Sequence, residues 1–134
     1  MGFEDPIRIL YMEDDPGLGR LLQKRLSRME YRVDVVGDGK KGLAAYQEQD
    51  FDLILVDHNM PEMTGIEVIR AIAGDQDHPP IIMLTGQGDE DLAVQALKSG
   101  AADYLAKDVG GSYLEQLPSA INATLNSALL AREK

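Results

Sequence analysis

The stretch LILVDHNMP at residues 53–61 decides the fold, because a short, continuous apolar run ends abruptly in acidic and polar residues. A strand that is apolar on both faces is typical of the middle of a parallel sheet with helices on each side. A second run of this type, IIML at residues 81–84, is followed by the polar stretch TGQGDED. Two such strands predict an α/β protein with a central parallel sheet.

Weaker strand patterns and helical patterns alternate along the rest of the chain. Further strands are predicted at residues 7–12, 32–36 and 104–106. Apolar residues at steps of three and four, together with helix start and stop signals, predict helices at 16–29, 38–49, 65–73 and 89–99, with a last one at about 113–132. Strict alternation of strand and helix implies right-handed crossovers and a parallel sheet covered on both faces.

The first and last helices carry more specific predictions. The first should begin at Pro16 and bury one face, which is made of Leu18, Leu21, Leu22, Leu26 and Met29. In the last segment Pro118 interrupts the apolar spacing, and a proline inside a helix removes a hydrogen bond. Either the helix begins near Pro118, or a separate turn capped by Ser112 and Glu115 precedes it.

Composition limits the class of protein. The chain has 134 residues, the size of a single domain spanning 1–134. It has no cysteine and two histidines, which excludes disulfides and argues against zinc. The net charge of −10 argues against direct nucleic-acid binding. The acidic N-terminus resembles no signal peptide and no apolar run is long enough to cross a bilayer, so we expect a cytoplasmic protein without membrane insertion.

Chemically active side chains follow four of the strands, at the edge where open α/β sheets bind ligands. They are Glu13, Asp14 and Asp15 after the first strand, Asp57 and Asn59 after the third, Thr85 after the fourth and Lys107 after the fifth. Each has an ordinary structural explanation when taken alone, and for Asp15 helix capping is the favoured one. Their joint placement is what indicates a functional site.

Several carboxylates at one edge need a cation, because like charges raise each other's pKa. Oxygen ligands without His or Cys favour Mg²⁺. With the metal bound, Asp57 could act as a nucleophile towards a phosphoryl group. Lys107 and Thr85 would then neutralise and hydrogen-bond the phosphoryl oxygens.

The motifs ILYMEDDP, LILVDHNMPEMTGIEVI, IIMLTGQGD and GAADYLAK occur in an order that resembles the receiver (response-regulator, CheY-like) family of two-component signalling. The resemblance implies a flavodoxin-like (βα)5 three-layer sandwich with strand order 2-1-3-4-5. It also implies that Asp57 accepts a phosphoryl group from a sensor histidine kinase or phosphotransfer protein. Mg²⁺ would be held by Glu13, Asp14, Asp57 and the backbone carbonyl of Asn59.

The same resemblance assigns the switch and the output surface. Thr85 would move towards the phosphoryl group and Tyr104 would turn inward, while Lys107 holds a phosphoryl oxygen. The surface of the fourth helix, fifth strand and fifth helix would serve output and homodimerisation. The apolar face of the last helix is interpreted as packing on the sheet, with pairing or continuation towards an absent output domain as the alternative. Asp108 stands where the family usually has proline, so we expect a differently shaped, more flexible loop.

Two other classes of protein share part of this pattern. A phosphatase of the haloacid dehalogenase type also uses an aspartate nucleophile, Mg²⁺, a threonine and a lysine. It requires a second acid two residues after the nucleophile, where this chain has Asn59. A phosphorylation-independent interaction module typically loses part of the set of functional residues, and this chain retains all of it.

Overall fold

The structure is a computed structural model that describes residues 6–86, 88–108 and 110–132, without the side chain of residue 132. Its strands are β1 (Ile7–Met12), β2 (Tyr31–Val36), β3 (Leu53–Asp57), β4 (Ile81–Gly86) and β5 (Asp103–Lys107). Its helices are α1 (Pro16–Ser27), α2 (Gly39–Glu48), α3 (Gly65–Ala73), α4 (Glu90–Ser99) and α5 (Ser112–Arg132). Strands and helices alternate throughout, as the sequence predicts.

The strands form one parallel sheet in the order β2-β1-β3-β4-β5, which confirms the predicted flavodoxin-like topology. β3 lies in the centre, where Val56 is in register with Met12 of β1 and Met83 of β4. The carboxyl ends of β1, β3, β4 and β5 therefore lie at the same edge of the sheet, which brings together the residues that follow these strands.

Alternate residues of the central strands supply two separate cores, because successive side chains point to opposite faces of a sheet. On one face α2, α3 and α4 cover residues that include Leu10, Met12, Ile54, Val56 and Met83. On the other, α1 and α5 cover residues that include Ile9, Tyr11, Leu53, Leu55 and Leu84. The result is the predicted three-layer sandwich. Among the described residues, no helix combines the length and the apolar character required to cross a bilayer.

The prediction for α1 is partly wrong. The helix ends at Ser27 rather than at Met29, and Leu21 and Met29 are 43% and 48% exposed, whereas Leu22 and Leu26 are buried. The chain leaves the helix through a turn in which Glu30 has φ 69°, so Met29 lies beyond the end of the helix. The cap prediction for Asp15 is confirmed, since its carboxylate accepts the N–H groups of residues 17 and 18.

The predicted bounds of the last helix, about 113–132, are confirmed, but both alternatives for an interruption near Pro118 are wrong, because α5 runs unbroken from Ser112 and contains Pro118. A proline in a helix interior removes one hydrogen bond, and packing has to compensate for it. Leu117 and Ile121, on either side of the proline in sequence, are fully buried against the sheet. The burial of these two side chains stabilises the helix across the hydrogen bond that Pro118 removes.

The start of α5 is held by Asp108 rather than by Ser112 or Glu115. Its carboxylate accepts the N–H of Ser112 at 3.1 Å and that of Tyr113 at 2.9 Å, as well as the Ser112 hydroxyl at 2.7 Å. These bonds satisfy N–H groups that have no partner within the helix. Asp108 is therefore a helix cap, and the greater flexibility expected for this loop stays a prediction.

Candidate functional site

An acidic cluster occupies the edge where β1 and β3 end. Glu13 directly follows β1, Asp14 comes next, and Asp57 is the last residue of β3. One carboxylate oxygen from each lies within 4.8 Å of the others. Glu13 and Asp57 are each only 2% exposed, whereas Asp14 faces solvent. The adjacency of β1 and β3 in the sheet is what brings these three acids together.

Lys107 reaches into this cluster from the end of β5. Its ammonium donates to Asp57 Oδ2 at 2.9 Å and to Glu13 Oε1 at 3.4 Å. β4 separates β5 from β3, so the long side chain spans the width of one strand. Burial acts to lower the pKa of Lys107, but the hydrogen bond and charge of Asp57, with those of Glu13, outweigh it and raise the pKa. The ammonium is therefore held in its charged form against the two carboxylates.

The positive charge of Lys107 does not balance the three carboxylates of Glu13, Asp14 and Asp57. Burial, followed by the charge of Asp57, raises the pKa of Glu13. Asp14 is exposed, but a partial loss of its hydration, followed by a hydrogen bond and charge from Glu13, raises its pKa. Raised carboxyl pKa values mean that the ionised cluster is unfavourable without a further cation. A set of oxygen ligands with one exposed member suits Mg²⁺, which retains several waters and is held by one or two carboxylates.

Sequence reasoning missed a buried partner of Glu13. The hydroxyl of Tyr11, whose side chain is fully buried, donates to Glu13 Oε1 at 2.9 Å, and the N–H of Asp15 donates to Oε2 at 3.2 Å. Burial and then the charge of Glu13 raise the pKa of Tyr11. The available signal was the spacing, since residues two apart in a strand lie on the same face.

Thr85 lies on β4, the neighbour of β3, and Tyr104 lies on β5, one strand further from β3. Thr85 is 1% exposed and is in register with Ala106, the residue before Lys107. It therefore belongs to the same edge as Asp57. Tyr104 is 38% exposed. The two predicted switch residues thus occupy different environments, one buried beside the site and one outside it.

Backbone contacts fix Asp57 and the loop after it. The N–H of His58 donates to the carbonyl of Leu84 on β4, and the N–H of Gly65, the first residue of α3, donates to the carbonyl of His58. The backbone N–H of Asn59 donates to Asp57 Oδ1 at 3.3 Å. The metal ligand predicted here is the carbonyl of Asn59, and that assignment stays a prediction.

The sequence of this chain is similar to those of proteins of a known family. Residues 9–119 match the family model described as "Response regulator receiver domain". The chain is 37% identical over 101 residues to the transcriptional regulatory protein QseB of Haemophilus influenzae, covering 75% of this chain and 46% of that protein. It is 41% identical over 100 residues to the DNA-binding response regulator MtrA of Mycolicibacterium smegmatis, covering 75% and 43%. The chain thus spans less than half the length of these relatives.

Solved structures agree with the sequence matches. A response regulator receiver domain protein from Clostridium thermocellum superposes with a TM-score of 0.84 at 30% identity, covering 93% of this chain and 98% of that one. The receiver domain of a signal transduction histidine kinase from Syntrophus aciditrophicus gives 0.80 at 30% identity, covering 90% of each. With the strand order and the acidic edge already described, these matches show that the chain belongs to the response regulator receiver domain family.

Proposed function

We propose that this chain accepts a phosphoryl group on Asp57 from the phosphohistidine of a sensor histidine kinase or phosphotransfer protein. The observation that carries the proposal is the contact of Lys107 with both Asp57 and Glu13 at the edge of the acidic cluster. A cation beside a nucleophilic carboxylate offsets the repulsion between that carboxylate and an approaching phosphoryl group. Residues 1–134 would act as one receiver unit in the cytoplasm.

Glu13, Asp14, Asp57 and the carbonyl of Asn59 would hold Mg²⁺, whose bound charge would stabilise the transferring phosphoryl oxygens. A carboxylate oxygen of Asp57 attacks phosphorus, the new O–P bond forms as the P–N bond breaks, and the imidazole leaves. Lys107 then donates to a phosphoryl oxygen in place of the Asp57 oxygen that it contacts in this structure. The chain thus assists its own phosphorylation, and the same groups assist hydrolysis of the aspartyl phosphate.

The output would depend on a shift between two conformations. Thr85 moves to donate its hydroxyl to the phosphoryl group, and Tyr104 turns from its exposed position into the space that Thr85 leaves. Phosphorylation can shift the equilibrium only by its differential stabilisation of the second conformation. Val94 and Leu97 of α4 are exposed apolar side chains, which supports the surface of α4, β5 and α5 as the output and homodimer face.

Phosphorylation with acetyl phosphate and Mg²⁺ tests the assignment of Asp57. Intact-mass spectrometry should show one added phosphoryl group, which is absent in Asp57→Asn and present in Asp50→Asn, a change to an exposed acid outside the cluster. Phosphorylation that persists in Asp57→Asn would contradict the proposal. A chain that takes up no phosphoryl group would instead support an interaction module, and rapid turnover of diverse phosphomonoesters would support the phosphatase.

The proposed partner surface has its own test. Beryllofluoride with Mg²⁺ should mimic the phosphorylated state and increase self-association, measured by analytical ultracentrifugation. Leu97→Glu on α4 should suppress that increase, whereas Leu21→Glu, an exposed leucine on α1, should leave it unchanged. Self-association that survives Leu97→Glu would remove α4 from the dimer face.

A further inference from the structure

Glu13 is fixed in place by donors on several sides. Its Oε1 accepts the hydroxyl of Tyr11 at 2.9 Å and the ammonium of Lys107 at 3.4 Å, and its Oε2 accepts the N–H of Asp15 at 3.2 Å. Tyr11 lies on β1 and has no exposed surface. Among the described residues, the carboxylate of Glu13 is the one hydrogen-bond partner of the Tyr11 hydroxyl.

The hydroxyl of Tyr11 is costly unless that bond is made. A buried hydroxyl without a partner loses its hydration and gains nothing in return. The residues that form the same core as Tyr11, which include Ile9, Leu22 and Leu117, are apolar and buried. Phenylalanine would fill this space with the same ring and no polar atom. Packing in the core therefore explains why an aromatic ring is found at this position, and the hydrogen bond to Glu13 explains why the ring carries a hydroxyl group.

We propose that Tyr11 is a positioning residue for the cation site, where its hydroxyl holds the Glu13 carboxylate in the orientation that faces Asp14 and Asp57. This inference rests on the proposed Mg²⁺ site. A glutamate has one more rotatable bond than an aspartate, so holding it in a single rotamer costs more entropy. The ring of Tyr11 is fixed by packing between the sheet and α1 and α5. A rigid donor of this kind orients a metal ligand before the metal arrives.

Tyr11→Phe tests the inference, because it deletes the hydroxyl and retains the ring. Mg²⁺ affinity is measured by isothermal titration calorimetry, and acetyl-phosphate-driven phosphorylation is measured as a function of Mg²⁺. We expect the Kd for Mg²⁺ to rise about tenfold, the usual effect of removing a group that orients a metal ligand. The phosphorylation rate at saturating Mg²⁺ should stay within about twofold of the parent, because the variant loses binding rather than transition-state contacts.

Tyr46→Phe is the matched control. The hydroxyl of Tyr46 donates to Asp75 at 2.6 Å, so this variant also removes a tyrosine–carboxylate hydrogen bond. Tyr46 lines a cavity with Phe51 and Asp52, the residues that precede β3, and so lies at the sheet end opposite the acidic cluster. Tyr46→Phe should leave the Kd for Mg²⁺ unchanged.

A second background separates positioning from general loosening of the core. In Glu13→Asp the side chain is one methylene shorter, so its carboxylate should no longer accept the hydrogen bond of the Tyr11 hydroxyl. Adding Tyr11→Phe to that variant should change the Kd for Mg²⁺ by less than about twofold, since coupled residues are not additive.

Three results would overturn the inference: an unchanged Mg²⁺ affinity in Tyr11→Phe, an equal loss in Tyr46→Phe, or a full tenfold effect of Tyr11→Phe within Glu13→Asp. In each of them the parent still binds Mg²⁺ and is phosphorylated on Asp57, so the proposed function stands while the role of Tyr11 does not. A parent chain that binds no Mg²⁺ would overturn both.

Discussion

Replacing Gly65 with alanine should disturb the phosphoacceptor through the backbone alone. Gly65 is buried and begins α3 immediately after the loop that follows Asp57. A Cβ at this position would lie 2.8 Å from His58 Cα and 3.0 Å from the carbonyl oxygen of Asp57. Both are main-chain atoms, which cannot rotate away as a side chain can. α3 and the Asp57–His58 segment would have to separate.

The size of the effect follows from that geometry. Ordinary contact begins at 3.4 Å, so the new methyl group lies 0.6 Å inside the limit at His58 Cα and 0.4 Å inside it at the Asp57 oxygen. Overpacking of this kind costs about 1–3 kcal/mol, and the better helix propensity of alanine returns at most about 1 kcal/mol. We expect a net loss of about 1–2 kcal/mol in the free energy of unfolding and a fall of roughly 3–10 °C in Tm. Phosphorylation should slow by about tenfold, because displacement of a reacting group by a fraction of an ångström is costly.

Urea unfolding and acetyl phosphate kinetics measure the two effects. Gly74→Ala, at the other end of α3, is the control, because a Cβ there meets nothing within 4 Å and φ is −69°. That variant should be neutral in both assays. If Gly65→Ala is as stable as the parent and is phosphorylated at the same rate, close packing of α3 on the phosphoacceptor loop does not position Asp57.

Further predictions concern pH and the last helix. Because the pKa values of Glu13 and Asp14 are raised, protons compete with Mg²⁺ for these carboxylates, so calorimetric affinity should fall as the pH is lowered; a pH-independent affinity would contradict this. Burial, with the hydrogen bond and charge of Asp75, raises the pKa of Tyr46 from 10.0 to about 12. The folded state then holds this proton more tightly, so the stability difference between the parent and Tyr46→Phe should be complete below pH 10 and lost between pH 10 and 12. A difference that grows in this window would have the wrong sign. Pro118→Ala should raise the free energy of unfolding in urea by about 1–3 kcal/mol, and a loss of stability would show that the ring is needed for packing.

The sheet could be predicted because its signals are local. Continuous apolar runs at 53–56 and 81–84 are found as the fully buried strands β3 and β4, and alternation with helices leaves few topologies. The clustering of Asp57 with Glu13 and Asp14 was predictable for the same reason, since parallel strands end at a common edge. The contact of Lys107 with Asp57 follows once the strand order is known.

Features that depend on packing could not be predicted. Spacing alone placed Leu21 and Met29 on the buried face of α1, but Leu21 is exposed within the helix and Met29 lies in the turn beyond its end. Pro118 breaks a helix in isolation, and only the burial of its neighbours shows that α5 continues through it. The hydroxyl of Tyr11 was hidden among apolar residues of β1, because a pattern of hydrophobicity does not reveal which polar atom a tyrosine reaches.

The acids near the sheet edge divide into two groups that sequence adjacency cannot separate. Asp15 and Asp108 each accept backbone N–H groups at a helix N-terminus, where the dipole of the helix favours negative charge. Hydrogen bonds from Ser112 and then from the N–H of Tyr113 lower the pKa of Asp108. Glu13 and Asp14 face other carboxylates, and burial together with that repulsion raises their pKa values. Within the run Glu13-Asp14-Asp15, the carboxylate of Asp15 is bonded to N–H groups of α1, whereas those of Glu13 and Asp14 lie within 4.8 Å of Asp57. This difference in contacts supports Glu13 and Asp14, rather than Asp15, as the proposed metal ligands.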